Sequence, residues 1–166
     1  GSFDPASSQT KEIGTMGYTF AGLNLAANST EDVSIKSIRW NQSGSAGIAD
    51  LGNIKVVFDG TAYDTTVSSD GKYYTAMFGT GGITITKGFN KEMYIKGDIL
   101  DGSARTVDFD LYRYADLQVI GLTYGYGILP SSAEGGTTTT ADDGEFQASE
   151  PRYDAYQATI GAGTLQ

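Results

Sequence analysis

The 166-residue chain contains no cysteine and no histidine. The first absence excludes a disulfide framework, a thiolate nucleophile and a thiolate-held metal. The second removes the commonest general base and the commonest transition-metal ligand. Basic residues are also scarce, with 11 Lys and Arg against 20 Asp and Glu and a net charge of −9. A nucleic-acid partner needs clustered cations against its phosphates, and an anionic membrane surface needs the same, so both are disfavoured. No apolar run approaches the ~20 residues of a membrane helix, and direct membrane insertion by such a helix is not expected. No window repeats apolar residues at helical spacing over three turns.

What is present is turn chemistry between short alternating runs. There are 23 glycines in a chain that is 39% hydrophobic, a composition that suits a thin sandwich better than a helical bundle. Residues 1–16 are polar and read as a lead-in. Alternation starts at Gly17-Tyr18-Thr19-Phe20-Ala21. In Val33-Ser34-Ile35-Lys36-Ser37-Ile38-Arg39-Trp40 the apolar phase slips between Ile35 and Ile38. A bulge near Lys36-Ser37 would return the second half to the core. Ile54 to Phe58 reads as a strand, Asp59-Gly60 as a hairpin turn, and Thr61 to Val67 as the returning strand. Asp70-Gly71 and Asp101-Gly102 are two further turns. Thr106 to Leu111 alternates strictly, with Val107, Phe109 and Leu111 inward. Turn signals recur every ~8–12 residues, as in a sandwich or barrel.

The expected fold is therefore all-β: an immunoglobulin-like antiparallel β-sandwich over 17–130. A Ser/Thr/Gly/acid linker or long loop follows over 131–149, and then a C-terminal strand within 150–166. That last strand either closes its own sheet or joins a neighbouring module. Gly1-Ser2 reads as a cut edge, so the chain is expected to be a piece of a longer exported protein.

One resemblance is carried by Thr19-Phe20-Ala21 with Glu31-Asp32-Val33, by Asp50-Leu51-Gly52-Asn53-Ile54-Lys55-Val56, and by Ile83-Thr84-Ile85 with Lys87-Gly88. It continues through Met93-Tyr94-Ile95-Lys96-Gly97-Asp98-Ile99 to Ala115-Asp116-Leu117-Gln118-Val119. In these stretches the chain resembles tandem immunoglobulin-like modules of large bacterial cell-surface and S-layer-type proteins. The resemblance implies an extracellular location and neighbouring modules, or copies of the chain itself, as partners. It lies in turn and strand grammar and brings no catalytic residues with it.

Several constellations offer chemistry beside a plainer reading. Asp142, Asp143 and Glu145, and separately Asp98 and Asp101, place carboxylates around turns, as a Ca²⁺ loop requires. The spacing is not that of an EF-hand, and acidic loops are commonly just solvated. No cofactor is specified; divalent cations are admitted by the acidic composition, Ca²⁺ among them. Tyr112, Tyr114, Tyr124 and Tyr126 could present rings for sugar stacking, against core and cross-strand packing as the alternative. Tyr73-Tyr74 puts at least one ring outward. Lys36, Lys55 and Lys96 sit within strands. A buried strand lysine could cross-link to Asn or Asp, whereas an edge lysine guards against aggregation. Asn28-Ser29-Thr30 and Asn41-Gln42-Ser43 match the glycosylation tripeptide.

With no catalytic motif and no histidine to complete a triad, an enzyme is not expected. The expected function is a structural and assembly module of an extracellular bacterial surface protein, acting by module packing and edge-strand pairing. Tyr153, Tyr156, Ile160 and Leu165 are the expected partner contacts. The alternative is a glycan- or ligand-binding adhesin module that uses its tyrosine-rich faces.

Overall fold

The computed structural model describes residues 9–27, 31–111, 116–123, 125–128, 145–146, 153–154 and 158–162. The strands in order are β1 (Gln9–Glu12), β2 (Tyr18–Ala26), β3 (Val33–Gln42), β4 (Leu51–Phe58) and β5 (Thr61–Val67). Then come β6 (Tyr73–Met77), β7 (Ile83–Ile85), β8 (Asn90–Ile99), β9 (Thr106–Val107) and β10 (Phe109–Asp110). The remainder are β11 (Leu117–Gly121), β12 (Gly127–Ile128), β13 (Glu145–Phe146), β14 (Tyr153–Asp154) and β15 (Ala158–Gly161). One 3₁₀ turn, Ile48–Asp50, leads into β4, and no α-helix occurs among the described residues.

The protein is all-β, and its main sheet runs β12-β11-β3-β6-β5-β4-β8-β2, with β7 and β10 also paired to β3. All of these pairings are antiparallel. Strand β5 belongs to both halves of this sheet. Its Thr61–Asp64 stretch pairs with β4, and its Thr65–Val67 stretch pairs with β6. The sheet thus rolls over along β5 into two layers that approach a closed barrel. The Asp59-Gly60 turn sets the register of the β4–β5 hairpin. Both residues have positive φ, 51° and 81°, the geometry of a two-residue turn whose twist matches the strands it joins.

The phase slip in β3 is a bulge. Ser37 pairs with Gln118 while Ile35 pairs with Val119, leaving Lys36 as the extra residue. On the other side of β3 the partner changes at the same place, from β6 at Ser37 to β7 at Ile35. The extra residue restores the inward phase, so Ile35, Ile38 and Trp40 are all buried. Between the layers, Phe109 contacts both Phe20 and Tyr74 at ring separations of 5.3 Å. Phe78 packs between Phe58 at 5.3 Å and Tyr63 at 4.9 Å. Edge-to-face and tilted rings of this kind add to simple burial.

A second, three-stranded sheet β1-β15-β9 contributes Val107, Ala158 and Ile160 to the core. Strand β15 runs antiparallel to β9 and parallel to β1, with Gln9 opposite Ala158 and Glu12 opposite Gly161. Residues 9–12, read from sequence as part of a lead-in, are therefore a strand of the fold. The C-terminal strand closes its own chain's sheet.

Candidate functional site

A set of side-chain hydrogen bonds surrounds β9, at the seam where β15 docks. On one flank of β9 lies the Gln42–Ala46 segment. The Gln42 side chain is fully buried. Its Nε2 donates to the carbonyls of Ala46 at 2.7 Å and Gly44 at 3.3 Å, and its Oε1 accepts the N–H groups of Gly44 at 2.6 Å and Asp108 at 3.1 Å. A buried amide with all its bonds made is a strong local organiser. The Ala46 N–H donates to the Thr106 carbonyl at 2.8 Å. A Cβ on Gly44 would lie 2.3 Å from that same carbonyl oxygen, so only glycine permits the close approach.

On the other flank β9 and the residues before it receive β15. The Ile160 N–H donates to the Arg105 carbonyl and the Ala104 N–H donates to the Ile160 carbonyl, each at 2.8 Å. The far edge of β15 is sealed against β1, and the Ile13 N–H continues the ladder by donating to the Gly161 carbonyl at 3.0 Å. Ala158 and Ile160 point into the core, at 3% and 0% exposure.

The docking edge is pinned from outside by an ion pair. Arg105 Nη1 donates to Asp50 Oδ2 at 2.7 Å, and the Gly47 N–H donates to the same oxygen at 2.8 Å. The Asp50 side chain is nearly inaccessible while that of Arg105 is half exposed. Burial alone would push the Asp50 carboxyl up, but the Gly47 N–H bond and the Arg105 charge outweigh it and hold the carboxyl below its usual value. The Arg105 guanidinium is raised in turn by its bond to Asp50.

The expected site residues fall as follows. Ile160 lies on β15 with its side chain in the core, at 0% exposure. Tyr153 lies in β14 and pairs with Phe146 of β13, and Glu145 pairs with Asp154. Asp142, Asp143, Tyr112, Tyr114, Tyr124, Tyr156 and Leu165 lie outside the described residues. Asp98 is buried and its Oδ1 accepts the Gly17 N–H at 2.8 Å, a turn clamp. Asp101 is exposed and accepts the Gly102 N–H at 2.8 Å. Among the described residues no three acidic side chains converge as a metal ion would require.

Tyr126 is exposed, at 76%. Of the Tyr73-Tyr74 pair, Tyr74 is buried against Phe109 while Tyr73 lies under the Arg39 guanidinium at 4.8 Å. Arg39 also donates through Nε at 3.0 Å and through a terminal nitrogen at 2.6 Å to Asp116 Oδ1. Among the strand lysines, Lys55 forms a surface pair with the exposed Asp64 at 2.8 Å, and Lys36 Nζ donates to the Thr80 carbonyl at 3.2 Å. Both have the partners of exposed lysines. Sequence reasoning did not single out Arg105, and it named Asp50 and Gln42 only within longer motifs. Asp50 and Arg105 are 55 positions apart, and no local pattern links them.

No protein-family model, curated protein or solved structure matches this chain.

Proposed function

We propose that this chain is an immunoglobulin-like module of an extracellular bacterial surface protein, with a structural and assembly role. The observation that carries this reading is the parallel, in-register pairing of β1 with β15. Parallel β1 and β15, the first and last strands among the described residues, carry the backbone through these strands in the same direction. Copies can then follow one another in series without the chain having to double back. The antiparallel layers and the strand shared between them suit the immunoglobulin-like form of the sandwich. The work of such a module is done by packing and by strand edges.

The test is to fuse copies head to tail and measure their dimensions by small-angle scattering. Serial modules give a maximum dimension that grows in proportion to copy number. A folded-back pair, with a dimension close to that of a single copy, would sink the reading.

The second reading is a glycan-binding face, and Arg39 supports it. Its guanidinium is fixed by Asp116 and laid over Tyr73, presenting a half-exposed planar group on the open outer surface of the sheet. Screening the protein on a glycan array, with Tyr73→Ala and Tyr126→Ala as controls, decides it. Reproducible sugar binding lost in either variant would replace the purely structural role.

A further inference from the structure

We propose that the seam between β1 and β9 accepts the Ala158–Gly161 strand of a second copy of this chain, so that copies join by exchanging β15. The proposal rests on the module reading above and names the element that joins the modules.

Three observations carry it. First, among the described residues the strand pairings that seat β15 are distant in sequence. Its partners are Gln9–Glu12 on one edge and Thr106–Val107 on the other, and its backbone is hydrogen-bonded along both edges. A strand paired with distant partners is recognised identically whether it comes from its own chain or from a neighbour. Second, the seam has a definite chemical preference. It takes an extended segment with a small and then a branched apolar residue at alternate positions, filled here by Ala158 and Ile160. The Arg105 carbonyl and the Ala104 N–H meet the N–H and carbonyl of Ile160 itself. Left empty, the seam would expose two unpaired strand edges and an apolar pocket, so it demands an occupant.

Third, the sequence between Ile128 and Ala158 is 29 residues long and includes Ser131-Ser132-Ala133-Glu134-Gly135-Gly136 and four consecutive threonines. With β13 paired to β14, the rest of that length reaches at most roughly 65 Å, enough to pass from one small domain to an adjoining one. Its tether gives the strand an effective concentration on the order of millimolar at its own seam. Isolated chains therefore close on themselves. Copies crowded to comparable concentration exchange strands while keeping the same pairings to β1 and β9.

The absence of cysteine makes a direct test available. Thr10 and Thr159 are register partners across the parallel pair. Chains carrying only Thr10→Cys and chains carrying only Thr159→Cys are mixed at high concentration, unfolded and refolded together, and oxidised. Exchange yields a disulfide-linked heterodimer, about tenfold or more above that formed when the exposed turn variant Ser69→Cys replaces Thr159→Cys. No such excess, while the double variant closes its own disulfide, would overturn the proposal.

A second measurement avoids reliance on refolding. The full chain carrying Ile160→Ala is titrated with a synthetic peptide of residues 155–163. A concentration-dependent rise in melting temperature supports the seam as a strand acceptor, and no rise at millimolar peptide overturns it. The fused-copy scattering experiment reads serial stacking independently. Extended fusions without cross-linking leave the module reading standing and remove only the exchange. Cross-linking with folded-back fusions does the opposite.

Discussion

Arg105 and Asp50 lie 55 positions apart in sequence and 2.7 Å apart in the fold, and their pairing pins the edge on which β15 docks. Because the Asp50 carboxyl is held below its ordinary value of 3.8, it titrates lower in the folded state than in the unfolded one. Its contribution is therefore fully present above 3.8 and is lost as pH falls through the lower, folded value. The exposed Asp70, lowered first by the Ser68 hydroxyl and then by the Lys72 N–H, shifts in the same direction. Urea unfolding followed across the acid range should show stability falling below pH 3.8. Asp50→Ala should cost about 1–3 kcal/mol at neutral pH and make the acid decline shallower. An unchanged decline in that variant would remove Asp50 from the account.

Ile160 is completely buried although it lies far along the chain from the main sandwich strands. Truncating it to alanine should destabilise the protein by about 2–4 kcal/mol, the range for a large core side chain. Equilibrium denaturation measures this directly. A loss under about 0.5 kcal/mol, typical of a surface change, would mean that β15 is not part of the core in solution.

Gly44 and Gly81 make a matched pair of substitutions. A methyl at Gly44 would press on the Thr106 carbonyl at 2.3 Å and on the Gln42 amide oxygen at 2.8 Å, whereas one at Gly81 meets nothing within 4 Å. Gly44→Ala should cost about 1–3 kcal/mol or more, and Gly81→Ala should stay within about 0.5 kcal/mol of the parent. Thermal melts of the two variants side by side check the contrast. Equal midpoints would contradict the close approach of the Gly44 loop to β9.

The Tyr18 hydroxyl is buried and has no hydrogen-bond partner among the described residues, while its ring packs edge-on against Phe20 at 5.1 Å. Burial raises its pKa, so the neutral form is the one buried. Tyr18→Phe keeps the ring and removes the unpaired group, and should leave stability unchanged or raise it by up to about 1 kcal/mol. A clear loss on denaturation would show that the hydroxyl has a partner in solution.

Much of the sandwich was legible from local pattern. Asp59-Gly60 announces its hairpin because few other pairs accept two positive φ angles. The slipped phase of Val33 to Trp40 announces the Lys36 bulge, since a strand has only two faces and only an extra residue can restore the inward one. The seam was not legible in this way. Asp50 sits in a glycine-rich connection with nothing beside it to mark an ion pair, and Gln42 looks like the middle of a glycosylation tripeptide rather than a buried hub. The stretch at Gln9–Glu12 has no apolar alternation, because it is an outer strand with mostly exposed residues.

The sequence by itself determined the all-β class, the hairpin turns, the bulge and a residue inventory without cysteine or histidine. These follow from short-range rules of backbone conformation and side-chain alternation, which operate within a few residues. Tertiary structure alone decided that β15 would lie between β1 and β9, parallel to one and antiparallel to the other, with Ile160 in the core and Arg105 on Asp50. Those contacts join segments tens of residues apart or more. Their stability comes from filling a cavity and completing hydrogen bonds that exist only once the rest of the sandwich has closed.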